Sequence, residues 1–330
     1  MEKSLRILVT GGLGTVGAGL IKELRSRNHF VASVDLQHQP DEIGFTLGTD
    51  LKVPTYARCD VGEYRQMERV FDRMGPFDLV YHCAAEFGRW NGEDFYDTLW
   101  RTNAVGTKNI IRLQERLGFR LVHFSSSEVY GDWLDTMAES VMEDHEVKQL
   151  NDYAMSKWVN EMQIRNSRIQ YNTESVVVRL FNTYGPGEYY SVYRSVNCRF
   201  LYCALHGLPW TVFRGHSRTS TYLADTVRTL AAISENFKAG ETYNIGGNYM
   251  HSIEELSDAI LEVTGADPSL VNYKESEILT TKVKKVDVTK AVRDLGHRDT
   301  VSLKEGLLIT AEWMRDAYRL PSRSMEQAGS

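Results

Sequence analysis

The stretch Leu5-Arg-Ile-Leu-Val-Thr-Gly-Gly-Leu-Gly-Thr-Val-Gly-Ala-Gly-Leu-Ile-Lys-Glu-Leu24 joins an apolar run, a glycine run and a helical pattern in twenty residues. Residues 5–9 read as a buried strand, and Val16, Leu20, Ile21 and Leu24 fall on one face of a helix. Between them stand Gly11, Gly12, Gly14 and Gly17, which parse as Gly12-x-Gly14-x-x-Gly17 or as Gly11-x-x-Gly14-x-x-Gly17. Such a turn lets backbone approach a pyrophosphate whose charge sits at the helix N-terminus, and side chains there would block it. Many turns imitate a glycine string, so its meaning depends on the residues downstream of it. Asp35 closes the next apolar run, 31–34, about 20 residues past the glycines, where a carboxylate bonds the ribose hydroxyls of NAD and repels a 2′-phosphate. The stretch therefore predicts a dinucleotide site that prefers NAD to NADP.

Working outward, apolar runs at 30–34, 56–59, 79–83, 121–124 and 176–180 alternate with helical patterns at 67–74, 95–117 and 153–169. Alternation of this kind predicts an α/β fold, a Rossmann doubly wound parallel sheet covered on both faces. After Tyr184-Gly-Pro-Gly187 the elements shorten to a helix at 196–205 and a strand at 210–213, while a helix at 225–233 and a strand at 243–246 read as returns to the first body. We therefore expect a nucleotide-binding domain over 1–185 plus 222–248 and a smaller, discontinuous C-terminal substrate domain over 186–221 plus 249–320. The carboxylate-rich segment 132–146 reads as a solvated loop, and 321–330 as a disordered tail.

Composition narrows the function classes. A net charge of −6 with no basic block gives no field for nucleic acid. No apolar segment approaches the roughly 20 residues of a membrane helix, and Met1-Glu-Lys-Ser4 leads into a strand without a signal-peptide core, so a cytoplasmic location is expected. Cys59, Cys83, Cys198 and Cys203 lack metal spacing and read as reduced thiols; His82 and His123 sit in apolar strands and read as satisfied core imidazoles. No metal site is expected.

The chemistry is carried by Ser126, Tyr153 and Lys157. Tyr153-Ala-Met-Ser-Lys157 puts phenol and ammonium on one helix face. A free tyrosine has a pKa of roughly 10, and a neighbouring cation favours its phenolate. By itself a tyrosine four residues before a lysine is common on any amphipathic helix; behind a glycine turn and Asp35 it points to a base that oxidises an alcohol with NAD.

In these motifs the chain resembles the extended short-chain dehydrogenase/reductases that modify nucleotide sugars, the epimerase, dehydratase and decarboxylase group. The resemblance runs over nearly the whole chain, through Thr10 to Gly17, Asp60-Val61, His82-Cys-Ala-Ala85, Asn103, Phe124-Ser-Ser-Ser-Glu-Val-Tyr-Gly131, Tyr153 to Lys157, Arg179-Leu-Phe-Asn-Thr-Tyr-Gly-Pro186 and Tyr243-Asn-Ile-Gly-Gly247. It implies a cofactor cradle of Gly11, Gly14, Thr15, Val16 and Gly17 with Asp35, Asp60, Val61, Ala84, Ala85 and Asn103. It also implies contact of Asn182 with the nucleotide sugar, of Arg218 with its diphosphate, and a homodimer formed through the helices at 95–117 and 153–169. Many relatives carry a second phosphate arginine where this chain reads Tyr273-Lys-Glu-Ser-Glu277, so Lys274 or Lys282 is expected to substitute.

The shared first step implied is proton removal from the sugar C4 hydroxyl by Tyr153, bridged by Ser126, to give a 4-keto sugar. Ser127 and Glu128 decide the fate of that ketone. A 4,6-dehydratase of the group reads Asp-Glu here, and a serine hydroxyl is too weak an acid to release the C6 oxygen, so dehydration would need another group such as Glu86. A 4-epimerase needs neither carboxylate. Decarboxylases of UDP-glucuronate have a hydroxyl residue, a serine and a glutamate here, and a β-keto acid loses carbon dioxide without an acid. Decarboxylation of a UDP-hexuronate is thus the first expectation, 4,6-dehydration or 4-epimerisation of an NDP-hexose the alternative, and a non-catalytic NAD-sensing protein the remote one.

Overall fold

A computed structural model describes residues 4–38 and 55–321; the expected tail beyond 321 lies outside them. Among the described residues twelve strands run in chain order as β1 (Arg6–Thr10), β2 (Phe30–Asp35), β3 (Tyr56–Arg58), β4 (Leu79–His82), β5 (Arg120–Ser126), β6 (Ser175–Leu180), β7 (Asn182–Tyr184), β8 (Trp210–Phe213), β9 (Ser217–Tyr222), β10 (Thr242–Ile245), β11 (Met250–Ser252) and β12 (Val271–Lys274). Seven make one parallel sheet in the order β10-β6-β5-β4-β1-β2-β3. Helices cover both faces, which is why its strands are apolar without alternation. Ile7 and Val9 pack on one side with Leu20, Leu24 and Tyr81, and Leu8 on the other with Val34, Met67 and Ile110.

A second core of Trp210, Val212, Leu256, Ile260, Leu307 and Met314 builds the smaller lobe. There β7, β9 and β11 form a three-stranded sheet and β8 pairs β12. Three expectations are corrected. Asn182–Tyr184, placed with the nucleotide-binding body, pairs with β9 instead. Helix Thr289–Leu295, placed with the smaller lobe, returns to the large sheet, where Ala291 and Leu295 pack beside Leu230 and Tyr243. The segment 132–146 is no mere solvated loop: Met137 and Val141 are buried with Tyr130 and Phe181, and Glu139 accepts the Asn244 amide at 2.8 Å.

The helix expected over 95–117 is interrupted. Tyr96–Trp100 is α-helical, Arg101–Val105 is a π turn, and Gly106–Leu117 resumes the α-helix. Gly106 lies so close to the Asp60-Val61 turn that a Cβ on it would stand 2.8 Å from a Val61 methyl. A short helix, Arg89–Asp94, precedes it. The helix bearing Tyr153 and Lys157 runs Asp152–Tyr171, opened by the Asn151 side chain accepting from the Ala154 amide and ended by left-handed Asn172.

Candidate active site between the two lobes

A cavity of about 660 Å³ opens at the carboxyl ends of β1, β2, β4, β5 and β6, with the smaller lobe opposite. Parallel sheets place ligands at this edge, where helix N-termini and strand ends converge. The glycine turn forms one end. Gly11 is left-handed, and a Cβ there would meet the Ala84 amide nitrogen at 2.8 Å; one on Gly17 would meet the Gly11 oxygen at 2.1 Å. Those glycines let strand, helix and the Ala84 turn touch. Gly14 differs, since a Cβ there would meet only the Gly11 oxygen, at 3.3 Å, and the residue faces the cavity. Asp35 accepts the Leu13 amide at 3.0 Å and the Gln37 amide at 3.1 Å, so its carboxylate is fixed at the trough's rim. Asp60, Val61, Ala84, Ala85, Thr15 and Val16 line the same trough. An open glycine cradle that continues to a fixed carboxylate fits a dinucleotide.

Asn103 is the exception among the expected cofactor residues. It does not line the cavity: its amide accepts from the Glu86 backbone amide and donates to the Glu86 carbonyl, both at 2.9 Å, and reaches Ser156 at 3.0 Å. The π turn sets this side chain behind the site, holding the loop that begins at Glu86. That loop's carboxylate, Glu86, lines the cavity and takes the Asn91 amide at 2.9 Å.

Ser126 ends β5 and caps the turn Ser127–Tyr130, its hydroxyl accepting the Glu128 amide at 3.2 Å and lying near enough to the Tyr153 phenol to favour its ionised form. Lys157 is buried, donates to the Phe124 carbonyl at 2.8 Å and lies 5.8 Å from the Tyr153 ring centre. The expected lysine-driven fall of the tyrosine pKa is not what the site shows. Desolvation pushes the phenol up to about 12, the Ser126 hydroxyl only partly opposing it, and desolvation likewise drops the Lys157 ammonium to about 8. His82 is satisfied, between Thr10 at 2.8 Å and Thr107 at 3.1 Å. His123 is not, for neither ring nitrogen has a partner within the described residues.

Glu128 points to a residue that sequence reading passed over. Its carboxylate pairs with Lys284, which is only 2% exposed. Desolvation opposes the Glu128 charge, yet Lys284, Arg218 and Arg89 outweigh it and hold the carboxyl below the usual range. Lys284 is thus a lysine brought to the reacting end, while neither Lys274 nor Lys282, expected at the diphosphate, lines the cavity. Asn182 and Arg218 both line the cavity; Arg218 donates to the Ser217 and Lys282 carbonyls at 2.8 and 2.9 Å and to Thr280 at 3.1 Å. Arg89, Glu277 and His216, none foreseen, also line it, with Arg89 ion-paired to Glu277.

Fold and site define a dinucleotide-dependent enzyme that works on an alcohol held between two lobes. Residues 7–246 match the NAD dependent epimerase/dehydratase family, and the chain belongs to it; its cofactor is NAD. It is 28% identical to a UDP-N-acetyl-alpha-D-glucosaminuronate decarboxylase of Bacillus cytotoxicus, over 94% of this chain and 98% of that one. It is also 28% identical to a dTDP-glucose 4,6-dehydratase of Streptomyces niveus, over 98% and 97%. Among solved structures, MoeE5 in complex with UDP-glucuronic acid and NAD superposes with a TM-score of 0.82 at 25% identity, covering 94% of this chain and 99% of that one.

Proposed function

We propose that this enzyme oxidises a UDP-hexuronate at C4 and decarboxylates the resulting 4-keto acid. The observation that carries the reading is the state of the residues after Ser126. Ser127 is no acid, and Glu128 is kept ionised by Lys284, so neither offers the proton that expulsion of a C6 oxygen requires. Loss of carbon dioxide from a β-keto acid needs no such donor. The relatives of known activity include decarboxylases of nucleotide uronates, which supports the same choice.

Tyr153 takes the proton of the C4 hydroxyl, and Ser126, beside the phenol, orients that hydroxyl. Lys157 offsets the phenolate's charge from the same helix face. Gly11, Gly14, Thr15, Val16, Gly17, Asp35, Asp60, Val61, Ala84 and Ala85 hold the dinucleotide, with Asn103 acting through the Glu86 loop. Bound there, NAD would supply the acceptor for the hydride from C4. Asn182 and Arg218 bind the nucleotide diphosphate, for which arginine's planar fork is suited. The division 1–185 plus 222–248 and 186–221 plus 249–320 is proposed to hold with β7 and Thr289–Leu295 exchanged between lobes. We also propose a cytoplasmic homodimer: the four cysteines are free thiols, and Met155, Met162 and Ile169 present an exposed apolar stripe at seven-residue spacing on one helix.

Product masses from UDP-glucuronate, UDP-glucose and dTDP-glucose decide the reaction. Loss of carbon dioxide from the uronate alone is expected. Loss of water from a glucose substrate, or a changed stereocentre at unchanged mass, would replace this reading with dehydration or epimerisation.

A further inference from the structure

Arg89 opens the short helix Arg89–Asp94 after β4, and Glu277 lines the same cavity from a segment, 275–281, that is neither helix nor strand. The two form an ion pair, each side chain about 15% exposed. This bridge leaves polar groups unsatisfied. The Arg89 Nε is buried with no partner within the described residues, and so are both ring nitrogens of His216, whose side chain is 1% exposed and lines the same cavity. A buried donor without an acceptor is costly to keep, so the persistence of both around one cavity marks a place prepared for something else. Two residues on from Glu277, Leu279 holds a left-handed φ of 58°, a conformation that a branched side chain rarely adopts and that points to a segment strained in its present position.

We propose that Arg89 and His216 form a socket for a carboxylate carried by the substrate's sugar, and that Glu277 closes it as an internal counter-ion until the substrate's carboxylate takes its place. The inference rests on the uronate reading above and names the residues that select for it. The socket faces the reacting end of the cavity, since Arg89 lines that cavity and acts electrostatically on Glu128, which stands in the turn capped by Ser126. Exchange of one carboxylate for another also leaves the local charge unchanged. With Glu128 already ionised nearby, a bound anion added to Glu277 would meet two negative neighbours; an anion that replaces it meets one. A neutral hydroxymethyl group at the same carbon offers Arg89 no negative charge and cannot displace Glu277.

The test compares UDP-glucuronate with UDP-glucose, which differ only in that group. Dissociation constants are measured by calorimetry on the full-length NAD-loaded enzyme carrying Tyr153→Phe, so that ligands stay unreacted, and again with Arg89→Gln or Glu277→Gln added. Removing one partner of a buried charge pair costs about 2 kcal/mol or more, so Arg89→Gln should weaken UDP-glucuronate by roughly 30-fold or more and leave UDP-glucose nearly unchanged. Glu277→Gln, which removes the competitor, should tighten UDP-glucuronate and again spare UDP-glucose. Equal effects on both ligands, or none, would overturn the socket. Carbon dioxide release by the parent enzyme is read separately: selective, Arg89-dependent uronate binding without it would leave the socket standing and remove the decarboxylase reading.

Discussion

Lys157 is a buried cation with one hydrogen bond, to the Phe124 carbonyl, and its ammonium is lowered to about 8 by desolvation. An unfolded lysine titrates at about 10.4. Between these values the unfolded chain binds the proton and the folded one does not, so stability gains with rising pH across this window; the burial cost is full below about pH 8 and fades towards 10.4. Lys157→Met keeps the volume and removes the charge. The variant should therefore melt higher than the parent at pH 7, with the gap shrinking by pH 10, while turnover collapses; a melting difference constant across pH would show that the charge costs nothing. At this scale the sequence was partly readable. Ser126, Tyr153 and Lys157 announce themselves because their spacing and the glycine turn constrain one another. Lys284 does not, because Lys282, Lys284 and Lys285 stand together and only the alignment of Val283 with Ser217 and Val286 with Met137 decides which one reaches Glu128. His216 was hidden in the same way, a neighbour of Arg218 without any pattern to single it out.

Among the elements, the glycine turn divides two tasks that its sequence blends together. Gly17 serves packing, since its missing Cβ would press 2.1 Å from a backbone oxygen that cannot retreat. Gly14 has ordinary extended dihedrals and a milder contact, a Cβ there falling 3.3 Å from the Gly11 oxygen, so that only a few tenths of an ångström need give. Gly17→Ala should cost about 1–3 kcal/mol in denaturant unfolding, as overpacking does, whereas Gly14→Ala should unfold close to the parent and lose affinity for NAD. If Gly14→Ala proved the more destabilising of the two, this division would be wrong. Buried parallel strands were legible for the reason that makes them stable, their continuous apolar runs. The π turn at Arg101–Val105 was not, because helical periodicity over 95–117 survives one inserted residue. Nor was the internal role of 132–146, where Met137 and Val141 are buried within a run of carboxylates that dominates its composition.

At the scale of the whole molecule, two lobes share a chain that crosses between them several times, and crossings leave little trace in composition. Thr289–Leu295 could be assigned to the large sheet only by its contacts, since an amphipathic helix fits either body equally well. The outer face of Asp152–Tyr171 carries Ile169, 73% exposed, in line with Met155 and Met162. Ile169→Glu should convert a dimer to a monomer in light scattering without altering the fold; a parent that is already monomeric would remove the proposed interface.

Decarboxylation through a C4 ketone, driven by Tyr153, is tested most directly by mixing NAD-loaded enzyme with UDP-glucuronate bearing deuterium at C4 and monitoring reduced-nicotinamide absorbance in a single turnover. The absorbance should rise, more slowly with deuterium than with hydrogen, should accompany release of carbon dioxide, and should be absent in Tyr153→Phe. Carbon dioxide released with no change at the nicotinamide, or an undiminished rise in Tyr153→Phe, would contradict it.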